Sequence, residues 1–334
     1  MQVESQIVNV STLQIAQAAL YVNFAYTVPD PGQGSQKVLL YSEPRTILTR
    51  LAVATATTGQ ILSLPGPSVN ATYQQVFYGP YVQCQAANST IAKQIDMAAE
   101  RAKMPDPLIQ EVSNEYFALV PALVSPRGLS LNTDVQAADL SDKDGFLNAS
   151  NTLWMKLPRY PPNVTILSAT DKTYSYYLSC DLYNASYQVN FSWVNGIQSI
   201  SMPEPEMVNV VPYPTNSTLT SAYEESLAYT AFMETLSRQL VGSMGFYRRT
   251  SANNITTRIF SEIDTNIDQT NLLGSSDFNS YFIKNHALNG RTSGLFSPQR
   301  LQDMAYARNR TLDVLIPELS SNITLSLITD PLLA

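Results

Sequence analysis

The sequence predicts an α+β protein with a β-sandwich-like core, flanking helices and a helical C-terminal part. Three observations lead to this class. Strand-like patterns fill residues 150–212, a helical apolar stripe runs through 89–103, and two further helical stripes follow residue 215. We therefore expect a β-rich domain over 1–215 and a mainly helical part over 216–334 that packs on it or leads to a membrane span.

Two kinds of local pattern precede residue 130. Val38–Tyr41 and Ile47–Ala56 are apolar and rich in β-branched residues, so each is predicted to be a strand. Residues 89–103 are predicted to be a helix that Ser89 or Thr90 caps. Its apolar face consists of residues at helical spacing: Ile91, Ile95, Ala98, Ala99 and Ala102.

The segment 174–193 is the most strand-like part of the chain, and its alternation changes phase. Apolar residues take even positions first and odd positions afterwards. A single buried face needs one extra residue at the change, so a β-bulge or a tight break is predicted near Leu182-Tyr183. With either, Cys180 points inward while Asn184 and Asn190 point to solvent.

A hairpin turn is predicted immediately after this segment. Asn195-Gly196 is the dipeptide typical of a type I′ turn, which leads into a strand over Ile197–Met202. Four prolines then interrupt the strand pattern and place the boundary near residue 215: Pro203, Pro205, Pro212 and Pro214.

The C-terminal part is predicted to hold two main helices. The first covers Thr220–Val241, and the second opens at Ser297-Pro298 in the favoured N-cap and N1 arrangement. Residues 250–296 between them are polar and are expected to be a loop with short elements. The second helix has a predicted inner face of Leu301, Met304, Ala305, Leu312, Leu315 and Leu319.

The strongest functional signal is an excess of the N-glycosylation acceptor pattern Asn-x-Ser/Thr. Eleven Asn residues carry it, whereas random placement of the Ser and Thr residues gives about 4. Glycans need exposed positions, so each acceptor also predicts surface. The acceptors are Asn9, Asn70, Asn88, Asn148, Asn163, Asn184, Asn190, Asn216, Asn254, Asn309 and Asn322.

The chain carries no targeting segment of its own that would explain such glycans. Its first ten residues have neither the basic nor the apolar region of a signal peptide, and no apolar run approaches the ~18–20 residues of a membrane span. We therefore expect an extracellular or lumenal segment whose signal and membrane anchor lie outside this chain. A cytosolic protein with accidental acceptor sites is the alternative.

The two cysteines, Cys84 and Cys180, fit the extracellular interpretation. Their even number and the inward position of Cys180 predict one disulfide across a long loop. Two free buried thiols are the alternative. Neither cysteine belongs to a Cys-x-x-Cys pair, so we expect no zinc or thioredoxin-like site.

Composition disfavours several classes of partner and state. Charged residues are 14% of the chain against a usual value of roughly 25%, and neutral Asn, Ser and Thr carry the polarity instead. A net charge of −7 with 20 Lys and Arg disfavours nucleic-acid binding, which needs a basic surface. High charge with few aromatics, the signature of disorder, is absent from the sequence.

No residue pattern predicts a catalytic, cofactor or metal site. His286 is the only histidine, and no nucleophile elbow or His-Glu-x-x-His motif accompanies it, so we expect it to lie in an exposed turn. Asp264-x-Asn266-x-Asp268 has calcium-ligand spacing but lacks the required Gly and Glu. Acids that a fold could pair for glycoside hydrolysis are Glu204, Glu206, Glu224 and Glu225, and Asp142 and Asp144 lie in a turn signature.

Several segments resemble the extracellular portion of a group of large fungal membrane proteins. The resemblance is carried by Tyr78–Cys84, Cys180–Phe191, Asn195–Gln198 and Leu315–Leu327, and it covers most of residues 70–334. It implies an ectodomain with one disulfide, several glycans and membrane spans on one or both sides. Some such proteins are labelled formylmethionine-deformylase-like, but this chain lacks the His-Glu-x-x-His and Glu-Gly-Cys motifs of that enzyme.

We therefore expect a non-enzymatic, N-glycosylated ectodomain of a fungal surface or secretory-pathway membrane protein, with a cell-wall glycan or a protein as its partner. One alternative is a secreted carbohydrate-active enzyme or sugar-binding module that uses acids and aromatic side chains. Another is an accessory protein of a metabolic gene cluster.

Overall fold

The computed structural model describes residues 25–29, 39–64, 66, 68–101, 109–121, 150–159, 174–213, 221–250, 256–263, 265–279, 302 and 304–329. The strands are β1 (Ala25–Pro29), β2 (Leu39–Pro44), β3 (Ala71–Ala86), β4 (Ile109–Leu119), β5 (Thr152–Arg159), β6 (Tyr174–Val194), β7 (Ile197–Ser201), β8 (Glu206–Val210), β9 (Gly242–Thr250) and β10 (Thr256–Ile263). The α-helices are α1 (Thr46–Thr58), α2 (Ser89–Arg101), α3 (Ser221–Leu240), α4 (Ser276–Asn279) and α5 (Leu312–Ser326), and short 3-10 helices cover Ile267–Gln269, Asn271–Gly274, Met304–Ala307 and Leu327–Thr329.

Eight of these strands form one antiparallel sheet. Its order is β10-β9-β4-β5-β6-β3, and β7 and β8 pair with further stretches of the long strand β6. Strands β1 and β2 form a separate two-stranded sheet. The predicted α+β class and helical C-terminal part are confirmed. In the described residues the core packs between helices and one large sheet, rather than between two large sheets.

The two predicted parts of the chain share this sheet. Strands β9 and β10 come from the part expected to be mainly helical, and β9 pairs directly with β4. Strand β10 is one of the short elements expected within the loop segment 250–296, and it belongs to the same sheet. The boundary predicted near residue 215 is therefore not a break in the sheet.

Helix α1 replaces the strand predicted for Ile47–Ala56. Its buried residues recur at helical spacing, and its threonine hydroxyls donate to backbone carbonyls four residues earlier, as Thr55 does to Leu51 at 2.9 Å. Gly59 then ends the helix in the left-handed conformation, with φ of 69°. Local β propensity is overridden here because one face of the segment is buried against other helices.

Helix α2 forms where it was predicted, but neither Ser89 nor Thr90 caps it. The Oδ1 atom of Asn88 accepts the backbone N–H groups of Thr90 at 3.0 Å and Ile91 at 2.9 Å. Asn is at least as good an N-cap residue as Ser, and Asn88 directly precedes Ser89, the first residue of the helix. Ile95 and Ala99 on the predicted apolar face are buried.

The predicted bulge or break in β6 is wrong, because β3 and β6 pair through sixteen consecutive positions without a register shift. Instead, the buried face changes in both strands together. Val82 and Leu182 belong to the main core, whereas Tyr81 and Ala185 belong to a second core cluster. Residues 61–64 and the end of α5 contribute to this second cluster, so both faces are covered without an extra residue in β6. The register shift nearby, at Asn184-Ala185, has its extra residue on β8.

The turn after β6 is the predicted type I′ hairpin. Asn195 and Gly196 have φ angles of 53° and 78°, which this turn requires of both central residues. Its position is fixed from outside by Asn70, whose Oδ1 accepts the Asn195 backbone N–H at 2.9 Å.

The helix predicted to start at Ser297-Pro298 takes a different form in its described part. A 3-10 helix covers Met304–Ala307, Asn309 turns the chain with a φ of 65°, and α5 begins only at Leu312. Ala305, which was assigned to the inner face, is exposed. The left-handed residue at 309 interrupts the helical path that the apolar spacing alone suggested.

Helix α5 lies along β3, the last strand of the described sheet order. Ser320 accepts the backbone N–H of Val82 at 3.0 Å, and Thr324 donates its hydroxyl to the Pro80 carbonyl at 2.7 Å. Pro80 has no N–H, so this position of the edge carries no donor that needs a partner. The hydroxyls of α5 thus satisfy backbone groups that a neighbouring strand would otherwise satisfy.

Candidate functional site

The disulfide predicted between Cys84 and Cys180 is present. The two residues are direct partners in the β3–β6 ladder, with an S–S distance of 2.07 Å and a Cα–Cα distance of 3.9 Å. Cys180 has no exposed surface and Cys84 is 5% exposed, so the predicted inward position of Cys180 is also confirmed. The bond joins the edge strand β3 to its neighbour β6 within the main core, across 96 residues of sequence.

Six of the predicted glycosylation acceptors lie within the described residues. Four of them are exposed: Asn70, Asn88, Asn190 and Asn309. Asn190 is on the outward face of β6, as its position in the alternation predicted. The other five acceptors lie outside the described residues: Asn9, Asn148, Asn163, Asn216 and Asn254.

Two acceptor positions differ from the expected exposure. Asn322 is only 7% exposed, and its Nδ2 atom, which a glycan would modify, donates to the Gly59 carbonyl at 3.2 Å. Asn184 is half-buried, because its Oδ1 accepts the Tyr229 hydroxyl at 2.8 Å. Asn322 lies where α5 packs on the end of α1, and Asn184 lies where α3 packs on β6. The acceptor motif carries no information about such packing.

Two exposed acceptors also support local structure. Asn88 caps α2 and Asn70 holds the β6–β7 turn, and each does so through Oδ1. An N-glycan is attached to the other side-chain atom, Nδ2. The two roles of each side chain are therefore chemically compatible.

The candidate catalytic and metal residues are not brought into one site within the described residues. His286, Asp142, Asp144 and Asp264 lie outside them, as do the side chains of Glu224 and Glu225. Asn266 donates to the Arg238 carbonyl at 3.0 Å. In the ranges that the structure describes, no three His, Cys, Asp or Glu residues are arranged to hold a metal ion.

Glu204 lies in a cleft of about 370 Å³ between the loop before β8 and the start of α5. This cleft brings together three carboxyl groups, of Glu204, Asp313 and Glu318, beside Tyr81. Sequence reasoning singled out Glu204 but not the two acids of α5, because only the packing of α5 on β3 brings them near. Glu206, the other candidate of that pair, is exposed on β8.

Two groups of this cleft, Tyr81 and Glu318, hold their protons more tightly than usual. Burial, followed by the charge of Glu204, raises the pKa of the Tyr81 hydroxyl, which lies 3.4 Å from Glu204 Oε1. Burial also raises the pKa of the Glu318 carboxyl, although Arg310 forms an ion pair with it. The cleft can therefore offer hydrogen-bond acceptors and one carboxyl that holds its proton more tightly than usual.

The chain matches no protein-family model, no curated protein and no solved structure. Within the described residues, no helix combines the length and the apolar character needed to cross a bilayer.

Proposed function

We propose that this chain is an N-glycosylated, non-enzymatic domain that folds in the extracellular space or in the lumen of the secretory pathway. The observation that carries the proposal is the buried Cys84–Cys180 disulfide in a chain with eleven glycosylation acceptors. Disulfides persist in oxidising compartments and are rare in the cytosol. The four exposed acceptors among the described residues are positioned to carry glycans.

The disulfide also has the energetic size expected of a structural bond. Closing a loop of 96 residues stabilises the fold by up to about 4–5 kcal/mol in the chain-entropy model. That contribution is a large fraction of the 5–15 kcal/mol that stabilises typical domains. A fold that depends on the bond needs a compartment in which the bond forms.

The resemblance to fungal membrane proteins extends this proposal. It assigns the domain to the surface or the secretory pathway of a fungus, joined to membrane segments of the full-length protein. The polar, weakly charged composition suits a hydrated surface whose partner is a cell-wall glycan or another protein.

Secretion of the chain from a eukaryotic host, followed by peptide mapping before and after glycosidase treatment, tests the proposal. We expect glycans at Asn70, Asn88, Asn190 and Asn309, an unmodified Asn322, and an intact disulfide. Fully deglycosylated protein is the control for the mass assignment. Secreted protein without glycans, or with two free thiols, would contradict the proposal.

A second candidate function is that of a secreted carbohydrate-active enzyme. It is favoured by the cleft, whose lining includes both Glu204 and Glu318, a carboxyl with a raised pKa. Glycosidases use one protonated and one ionised carboxyl. Hydrolysis of nitrophenyl glycosides that is abolished in both Glu318→Gln and Glu204→Gln, but not in Glu206→Gln, would establish this function. Absence of hydrolysis over the full set of glycosides would exclude it for that substrate class.

A further inference from the structure

A second cavity of about 380 Å³ lies on the sheet face opposite the disulfide. Side chains alternate between the faces of a strand, so the neighbours of Cys84 and Cys180 point away from the bond. Gln85, Ser179 and Trp154 are consecutive cross-strand partners on β3, β6 and β5, and Asp181 pairs with Thr152 in the next row. These five residues form the floor of the cavity.

The walls come from the start of α2 with the two residues before it, and from the segment just after β4. Ala87, Asn88 and Ile91 line one side and Pro121 the other. Helix α2 is held over this face by Asp96, which accepts Lys156 Nζ at 2.9 Å and the Tyr177 hydroxyl at 2.5 Å. The cavity therefore lies between a sheet and a helix that is fixed to it, which limits the motion of its lining.

The floor presents an unused hydroxyl. Ser179 is 5% exposed and lines the cavity, and its side chain makes no hydrogen bond within the described part of the chain. This hydroxyl is not one of the fully buried, partnerless side-chain atoms of the described residues, so it is accessible from the cavity and can bond to a ligand hydroxyl. Beside it, Asp181 Oδ1 accepts the Thr152 hydroxyl at 2.8 Å.

The charge of the lining restricts the ligand. The described residues around the cavity include no Lys, Arg or His, and Asp181 is their one ionisable side chain. Phosphates and carboxylates are therefore disfavoured. The remaining polar groups of the lining are hydroxyls and amides, which can donate or accept, and the Asp181 carboxylate, which accepts. They lie next to the indole of Trp154 and the apolar side chains of Ile91 and Pro121. This mixture suits a neutral ring that carries hydroxyl groups on an apolar frame.

We propose that this cavity binds one neutral saccharide unit, with Ser179 and Asp181 as its central hydrogen-bonding groups. The volume lies within the ~300–1,000 Å³ range of small-ligand sites. The disulfide holds β3 and β6 in register directly behind the floor, which keeps Gln85, Ser179 and Asp181 in fixed relative positions. The inference rests on the proposed function, which names a glycan as one partner, and deepens it by giving that partner a site. It does not depend on whether the chain itself is glycosylated, so the two proposals can fail separately.

Two sources of the saccharide are distinguishable. One is a free or cell-wall sugar, and the other is the glycan of this chain at Asn88, which lies on the wall of the cavity. Thr90→Ala removes the Asn88 acceptor motif while leaving the Asn88 cap intact, since the cap uses the backbone N–H of residue 90. If only the Thr90→Ala protein binds added sugar, the Asn88 glycan is the occupant. Equal binding by both proteins assigns the site to an external sugar.

The test is calorimetric titration of the disulfide-intact Thr90→Ala chain with glucose, mannose and N-acetylglucosamine, and with glucuronate as the anionic comparison. We expect saturable binding of at least one neutral sugar, and binding weakened about tenfold or more by Ser179→Val. Gln85 is the exposed residue of the floor, so Gln85→Ala leaves the core unchanged and is expected to weaken binding as well. Ser199→Val on the exposed strand β7 is the matched control and should have no effect.

Three results would overturn the proposal. The first is no saturable binding of any neutral sugar at tens of millimolar, the range of weak single-site ligands. The second is binding that survives both Ser179→Val and Gln85→Ala unchanged. The third is tighter binding of glucuronate than of the neutral sugars. Thermal unfolding of each variant establishes that the tested protein is folded.

Discussion

Asn322 donates a hydrogen bond of 3.2 Å from its side-chain Nδ2 to the backbone carbonyl of Gly59. Gly59 ends α1 in the left-handed conformation, and Asn322 lies within α5, 263 residues later. The bond therefore fastens the end of one helix to the middle of another. The nitrogen that a glycan would modify is the nitrogen that makes this contact.

Substitution of Asn322 by Asp is expected to lower the free energy of unfolding by about 1–3 kcal/mol. The substitution replaces a buried donor with a carboxylate that faces a carbonyl oxygen. Asn309→Asp is the matched control, because Asn309 is an exposed turn residue whose left-handed conformation Asp also tolerates. Urea unfolding measures both variants, and equal midpoints would contradict a structural role for Asn322.

Ser320→Ala is expected to cost about 1–3 kcal/mol of unfolding free energy. It leaves the backbone N–H of Val82 without its acceptor at the buried edge of β3. Ser199→Ala on β7 is exposed and should change stability by less than about 0.5 kcal/mol. If Ser320→Ala lowers the free energy of unfolding no more than Ser199→Ala does, the Ser320 hydroxyl does not satisfy the β3 edge in solution.

Reduction of the disulfide is expected to lower stability by up to about 4–5 kcal/mol. The chain has two cysteines, both in this bond, so a phosphine reductant acts on no other bond. The measurement is urea unfolding of the oxidised and reduced chain, with Cys84→Ala/Cys180→Ala as the control for the reductant itself. A reduced chain as stable as the oxidised one would show that the core holds without the bond.

Tyr177 makes stability sensitive to alkaline pH. Burial, and then the hydrogen bond to Asp96, raise the pKa of Tyr177 to about 12 from an ordinary value of 10.0. The folded chain retains this proton where the unfolded chain loses it. The contribution of this proton to the free energy of unfolding is therefore complete below pH 10 and is lost as the pH rises toward 12.

The expected result is that Tyr177→Phe loses less stability than the parent chain between pH 10 and 12. Thermal unfolding across this range measures the difference in slope, and Tyr78→Phe, at a position 52% exposed in the parent chain, is the control. The other buried tyrosines contribute a background that is the same in both variants. Identical pH slopes for Tyr177→Phe and the parent chain would contradict the assignment of this pH dependence to Tyr177.

Much of the fold was predictable wherever a local pattern had a local cause. Asn195-Gly196 requires two residues with positive φ, and few dipeptides adopt that turn so readily. The apolar spacing of 220–241 indicates a helix that α3 confirms. The inward parity of Cys180 followed from alternation alone, and its partner was the only other cysteine in the sequence.

The errors arose where two patterns competed. Ile47–Ala56 has the composition of a strand, yet hydrogen bonds such as that from Thr55 to Leu51 and burial on one face favour helix α1. The change of parity in β6 indicated a bulge, because one buried face was assumed. Strand β3 changes its buried face at the same place, and this coincidence depends on pairing across about a hundred residues.

The sequence by itself determined the α+β class, the hairpin turn, the disulfide pair and the distribution of acceptor motifs, because each depends on residue type and short spacing. Tertiary structure alone decided which acceptors are accessible, which acids share a cleft, and that Ser179 faces a cavity. Those outcomes depend on how α2 and α5 dock on β3 and β6. Docking is set by the sum of many weak long-range contacts, and no short stretch of sequence encodes that sum.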